Sequence, residues 1–438
     1  MLFRSEQRWV NPADALHTLE TLRHLPLPAS GDPRIDYLEA RAWVNNDVVK
    51  AQAASRRAIE KGNAQGLRLF VARAYGVLCQ IGDGDSTAQD CGNAQKMYTA
   101  VGDRDNAART TADFAIFYYE QGDLDRAEAM YREVIKVFRQ VGDLEGVTTA
   151  SANLGDIALA RGNLAEAARE LSDAVPGYKE MGDKDGVALT LADLAKIARL
   201  RGDLKTALTT YKEARAIAQE IADKRAVAYA LAGAGDVLAD QGDLQAARNF
   251  HQESLALCKE IGDKQAVAET ELALARLSIE QGHAADAETV IRKGKEQFHQ
   301  DQQADDELAA SIALIDALLA ESKLPEAESE AGKARSLADK SANTLLRLQF
   351  EMMSGRVQDW SGHFPAASAQ LQKTLQSAHS HQLLELEFET RLAIAELRNR
   401  AGQSVAARAE SLSLENAARK NGFGLIASKA LSFRNARE

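Results

Sequence analysis

This 438-residue sequence has few aromatic residues and no excess of positive charge. Phe, Trp and Tyr make up 5% of it, too little for an evident platform on which nucleic-acid bases could stack. Acidic residues outnumber basic ones by 64 to 53, giving a formal net charge of −11. Because phosphate backbones and anionic membranes attract clustered cations, we expect neither a nucleic-acid nor a membrane partner.

Long apolar runs are also missing. No stretch approaches the roughly 18 consecutive apolar residues of a membrane span, and the N-terminal residues lack the apolar core of a secretory signal. The three cysteines, Cys79, Cys91 and Cys258, are scattered and include no C-x-x-C pair. This usage predicts a cytoplasmic, reducing location without a disulfide framework, although the sequence leaves a bond between Cys79 and Cys91 open.

Proline is scarce, with 7 in the sequence, which leaves room for long helices. What the sequence has in quantity is repetition, because glycine recurs every 40 residues in two series offset by 20. The first series is Gly122, Gly162, Gly202, Gly242, Gly282, Gly362 and Gly402, with Ser322 at one position. The second is Gly62, Gly102, Gly142, Gly182, Gly262 and Gly422, with Ala222 at one position, and Gly82 lies midway between its first two members.

Each of these positions is predicted to end a helix. Glycine adopts the left-handed conformation that commonly ends helices, and an Asp or Asn directly after it caps the next helix, as in Gly122-Asp123 and Gly162-Asn163. Two stops per period predict two helices of about 15 residues each. A third series marks close helix crossings and comprises Ala127, Ala167, Ala207, Ala247, Ala287, Ala327, Ala367 and Ala407.

The pattern resembles that of tetratricopeptide repeats, and its length is similar to the repeats of kinesin light chains and Rap-type regulators. Besides the alanine series, the matching residues are Gly155, Ala195, Gly235, Leu164, Leu204, Leu244 and Phe364. The resemblance implies an all-α, right-handed superhelical solenoid of about ten antiparallel helix pairs, with first helices lining a concave groove. We expect a helix capped by Asn11 and a linker over residues 1–33, the solenoid over 34–422 and a capping helix over 423–438.

Catalytic signals are weak. His379 and His381 form an H-x-H pair with His363 nearby, but alternate residues of a helix do not share a face, so solvated surface histidines are the favoured interpretation over a metal site. The sequence has no H-E-x-x-H, G-x-S-x-G or phosphate-binding loop motif. We predict no enzymatic activity, no metal and no cofactor.

Binding is instead predicted for the groove, where polar residues alternate in sign from repeat to repeat. The candidate positions are Asp113, Ile116, Tyr119, Asn153, Asp156, Asp193, Lys196, Arg199, Asp236 and Arg276. The competing interpretation is a row of ion pairs between neighbouring helices. Kinesin-type repeats often carry an asparagine ladder here that binds a peptide backbone, and this sequence retains only Asn153 of it.

We therefore expect a non-catalytic scaffold that binds a partner protein or an extended peptide, basic or amide-rich, in the groove. The alternative is a sensory or regulatory arm of a larger signalling protein, such as a kinase or a transcription regulator.

Overall fold

The computed structural model describes residues 12–44, 46–82 and 86–435, and within these ranges all regular elements are helical. Contacts divide the chain into two compact units, Met1–Ile157 and Ala158–Glu438. The helices of the first unit are α1 Pro12–Arg23, α2 Pro33–Trp43, α3 Val48–Ala64, α4 Arg68–Ile81, α5 Thr87–Ala100, α6 Arg104–Glu120 and α7 Leu124–Val141. Helix α8, Leu144–Ala160, includes the division.

The second unit continues the same alternation of first and second helices. Its helices are α9 Leu164–Glu180, α10 Lys184–Leu200, α11 Leu204–Glu220, α12 Lys224–Asp240, α13 Leu244–Ile261, α14 Lys264–Glu280, α15 Ala284–Gln300, α16 Ala304–Ala320, α17 Leu324–Lys340, α18 Thr344–Trp360, α19 Phe364–Ser380, α20 Leu384–Arg400, α21 Ser404–Lys420 and α22 Gly424–Asn435. The fold is an α solenoid of helix pairs. The predicted cap Asn11 lies outside the described residues.

The turns follow the predicted chemistry from Gly102 onward. Every glycine of the two series from there on has a positive φ, and so do the two substitutes, Ala222 at 55° and Ser322 at 60°. The Asp123 and Asp203 side chains accept hydrogen bonds from backbone N–H groups of the helices they begin. Sequence inspection missed two further left-handed stops, Gln302 and Gln382.

The predicted stop at Gly62 is wrong, and the one at Gly82 ends a helix without the predicted left-handed conformation. Gly62 lies inside α3, which continues to Ala64, and the left-handed residue is Gly66 with φ +67°. Gly82 caps the C-terminus of α4 with φ −81° and ψ 133°, which lie in the β region. The earliest helices depart from the 40-residue frame, so extrapolating the period backward fails there.

The alanine series forms the helix crossings. All eight of its members are between 0 and 2% exposed, so none has room for a larger side chain. Tyr131 and Tyr211, four residues after their alanines, are also buried. Small residues therefore let paired helices approach closely, while the larger ones fill the space beside the crossing.

Cys79 and Cys91 form a disulfide, with their Cα atoms 4.6 Å apart, and this corrects the expectation of a chain without disulfides. The two residues are 12 apart in sequence and face each other across the paired helices α4 and α5. Cys258 is free and buried.

In the second unit, the C-terminal helices return onto early ones. Phe423 lies in the turn before α22 and Ile426 lies within α22. Both belong to the apolar cluster that contains Leu204 and Val237. The backbone of Gly424 packs against the backbone carbonyl of Gln241. The approach is so close that a Cβ at residue 424 would collide with the carbonyl oxygen. Helix α22 thus covers α12 as well as its sequence neighbour α21.

Candidate partner-binding pocket

The first unit contains a cavity of about 430 Å³ lined by residues of α2 and of helices α4 to α8. We call it the first-unit pocket. Its polar lining includes Arg41, Arg73, Asp113, Thr149 and Asn153, and its rings come from Tyr37, Tyr98, Tyr131 and Phe138. Two predicted groove residues, Asp113 and Asn153, therefore lie in one pocket.

Asn153 is held in place on one side only. It is 4% exposed, and its Nδ2 donates a hydrogen bond to the Tyr131 hydroxyl at 3.0 Å. Its Oδ1 has no hydrogen-bond partner in the part of the chain that the structure describes. Because an unpaired buried acceptor costs about 1–3 kcal/mol, this oxygen is suited to a donor supplied by a bound molecule.

Asp113 adds a second acceptor. Burial raises the pKa of this carboxyl to about 7, and the attraction of the Arg109 and Arg41 charges offsets only part of that effect. Burial also raises the pKa of the neighbouring Tyr131, which keeps its hydroxyl neutral. At neutral pH the Asp113 carboxyl is therefore present in both forms, one an acceptor only and the other also a donor.

Two of the arginines that line the pocket, Arg109 and Arg73, contact different kinds of partner. Arg109 contacts Asp143 at 2.7 Å and Asp105 at 3.2 Å, so its charge is satisfied within the unit. Arg73 stacks over the Phe70 ring, with 5.2 Å between guanidinium and ring centroid. The pocket thus presents donors as well as acceptors, a combination that matches a peptide backbone better than it matches a ligand of one charge.

The other predicted groove residues of this unit, Ile116, Tyr119 and Asp156, are half-buried and do not line the pocket. Sequence inspection missed Arg41 and Arg73, because both precede the regular part of the repeat frame. A basic residue on a first helix beside an aromatic one, as in Phe70 and Arg73, was the available signal.

The predicted groove residues of the second unit contact one another and their neighbours. Arg199 pairs with Asp240 at 2.6 Å and with Glu385 at 2.9 Å, and these carboxylates raise its pKa although burial acts in the opposite direction. Asp193 accepts a hydrogen bond from the Tyr229 hydroxyl at 2.8 Å.

Asp236 and Arg276 lie on α12 and α14, where Asp236 is half-buried and Arg276 is exposed. Burial acts to raise the pKa of Asp236, but a hydrogen bond from His251 and the Arg199 charge hold it at about 2. Arg276 donates a hydrogen bond to the Ala309 carbonyl at 3.1 Å. Lys196 occupies the same repeat position 40 residues before Asp236, and it is exposed.

The contacts of His379 and His381, two of the histidines considered for a metal site, are with other residues. His379 is exposed and lies 3.0 Å from Glu387, while the His381 ring faces the Gly162 carbonyl oxygen at 3.2 Å. Within residues 12–44, 46–82 and 86–435, no group of three His, Cys, Asp or Glu side chains is arranged to hold a metal ion. None of the helices described is long and apolar enough to span a bilayer.

Comparisons with known families agree with the geometry. The family described as MalT-like TPR region matches residues 143–315, and a tetratricopeptide-repeat family matches residues 107–141. Residues 107–141 and 143–315 are therefore tetratricopeptide repeats. No curated protein matches the sequence significantly.

Among solved structures, the chain is similar to aspartyl phosphate phosphatase F from Bacillus subtilis, with a TM-score of 0.56 and 12% identity over 77% of this chain and 96% of that one. It is also similar to the Rap conjugation gene regulator of plasmid pLS20 in complex with the Phr* peptide. That alignment has a TM-score of 0.55 and 12% identity, and covers 85% of this chain and 98% of the other. At such identities, the likeness concerns the fold.

Proposed function

We propose that this chain is a non-catalytic interaction scaffold that binds an extended segment of a partner protein in the first-unit pocket. The observation that carries the proposal is the unpaired, buried Oδ1 of Asn153 beside the Asp113 carboxyl. Asp113 and Asn153 both line one cavity, and a peptide N–H is the donor that suits their acceptor oxygens. The similar Rap regulator, solved with a peptide bound, supports this choice of partner.

Of the two partner chemistries expected from the sequence, the pocket favours the amide-rich one. Asn and Gln side chains both donate and accept, which matches acceptors at Asp113 and Asn153 and donors at Arg41 and Arg73. A basic segment would gain from Asp113 but would face the two arginines. The paired charges around Arg199 support a structural role for the second unit, in a scaffold that we place in the cytoplasm.

The test begins with capture of a partner from an extract of the native host on the full chain. The purified partner is then titrated against wild type, Asn153→Ala and a control, Asn249→Ala, on an exposed face of α13. We expect Asn153→Ala to weaken binding by about 0.5–1.5 kcal/mol, nearly independent of salt, because one neutral hydrogen bond is lost. The control should bind like wild type. Equal affinity for all three proteins would exclude the pocket as the site.

The non-catalytic part has its own test, because one structurally similar protein is an aspartyl phosphate phosphatase by name. Incubating the chain with phosphorylated response-regulator receiver domains should leave the rate of dephosphorylation unchanged. An accelerated rate would overturn this part of the proposal.

The second candidate is the regulatory arm of a larger signalling protein, which the match to the MalT-like TPR region favours. Capture of a kinase or a transcription regulator as a stoichiometric partner, or a coding sequence continuous with such a domain, would support the arm over the independent scaffold. Capture of an unrelated client protein would support the scaffold.

A further inference from the structure

We propose that Cys79 and Cys91 are a reversible redox site that controls the shape of the first-unit pocket. Cys79 is 3% exposed and Cys91 is 0% exposed, so the bond between them lies inside the packed helices. The control of partner binding rests on the proposed function, whereas the effect on the helices does not.

The bond is adjacent to the pocket wall. Cys79 belongs to α4, whose residues Gly76, Val77 and Gln80 line the pocket. Its Sγ lies 3.9 Å from the carbonyl oxygen of Thr110, another lining residue on α6. Any shift of the sulfur is therefore transmitted to two walls of the cavity.

The other half of the bond is equally close. Cys91 lies on α5, two turns before Tyr98, and residues seven apart share a helix face. Tyr98 lines the pocket and packs with Ala72 and Ala94 in an apolar cluster that joins α4 to α5. Because this cluster holds the helix pair independently of the sulfurs, reduction should loosen the pair without unfolding it.

The chemistry is thiol–disulfide exchange. A dithiol reductant supplies two electrons and two protons, the Cys79–Cys91 bond breaks to give two thiols, and the reductant becomes a disulfide. Two thiol sulfurs repel each other at bonding distance, so both side chains must move apart in a space packed at crystal-like density. A peroxide or a disulfide oxidant reverses the step.

The experiment compares oxidised and dithiothreitol-reduced full-length chain by hydrogen exchange. We expect amides of α4 and α5 to exchange at least tenfold faster after reduction, while α11 stays unchanged. Cys79→Ala/Cys91→Ala should resemble the reduced form under both conditions, and Cys258→Ala should retain the full response. Identical exchange in the two wild-type forms, or three alkylatable thiols after treatment with diamide, would overturn the proposal.

A second readout separates this inference from the proposed function. If the helices respond to reduction but Asn153→Ala leaves partner affinity unchanged, the redox site stands and the pocket is not the binding site. If Asn153→Ala weakens partner binding while hydrogen exchange in α4 and α5 is unchanged by reduction, the proposed function stands and the redox inference fails.

Discussion

Ala222 sits in a left-handed turn with φ 55°, and replacing it by glycine should stabilise the second unit. The Cβ of an L-residue costs about 1–2 kcal/mol in this conformation. Substitution by glycine removes this cost, but it also makes the unfolded chain more flexible, which lowers the stability by about 0.4–1 kcal/mol. The Ala222 side chain is exposed, so no packing is lost. The net expectation is a gain of about 0.5–1 kcal/mol, or roughly 1–4 °C in the thermal midpoint.

The reverse substitution provides the matched control. Gly182 ends a second helix in the same way, with φ +68°, and a Cβ added there meets nothing within 4 Å. Gly182→Ala should therefore lose about what Ala222→Gly gains, because only backbone strain and chain entropy change. Differential scanning calorimetry of the full chain measures both. A lower midpoint for Ala222→Gly with a higher one for Gly182→Ala would refute the strain account in favour of chain entropy.

Three further predictions test other parts of the structure. Arg199→Met should lower the free energy of unfolding in urea by about 3–5 kcal/mol, because it leaves buried carboxylates without their cation. A loss below 1 kcal/mol would contradict a central role for this charge. Asp113 has a pKa of about 7, above the ordinary 3.8, so the folded chain holds this proton more tightly and loses stability as the pH rises through that interval. Asp113→Asn should accordingly raise the thermal midpoint most near pH 8 and least near pH 4, and a pH-independent difference would argue against this titration. Gly424→Ala should cost about 1–3 kcal/mol through its collision with a backbone carbonyl, whereas Gly332→Ala, in a helix with open space, should stabilise by about 0.5–1 kcal/mol; equal effects would contradict the close approach.

Much of the fold could be predicted because the turn chemistry is local. A glycine such as Gly202 followed by Asp203 specifies a stop and a cap by itself, independent of anything distant. Where the residue type is ambiguous, as at Gln302 and Gln382, only the surrounding helices impose the left-handed turn. At Gly62, local chemistry also failed, because a glycine is tolerated within a helix when the next turn provides a better stop at Gly66.

The candidate site was less accessible from sequence. The repeat register brought Asp113 and Asn153 to one face, but it gave no reason to prefer them over Arg199, which occupies a different position of the repeat on a later first helix. What separates them is the partner at Glu385, 186 residues away, which satisfies the arginine. Such a distance is set by how the helices coil, and no local pattern encodes it.

The return of α22 onto α12 also fixes how many repeats this unit can have. An open array gains or loses one repeat with little penalty, because each repeat depends on its immediate neighbours. Here an inserted repeat would carry Gly424 away from Gln241 and Lys429 away from Glu280, its partner on α14. Deleting one would have the same effect. We therefore expect homologues that keep these contacts to vary in their turns and exposed helix faces while preserving the number of repeats.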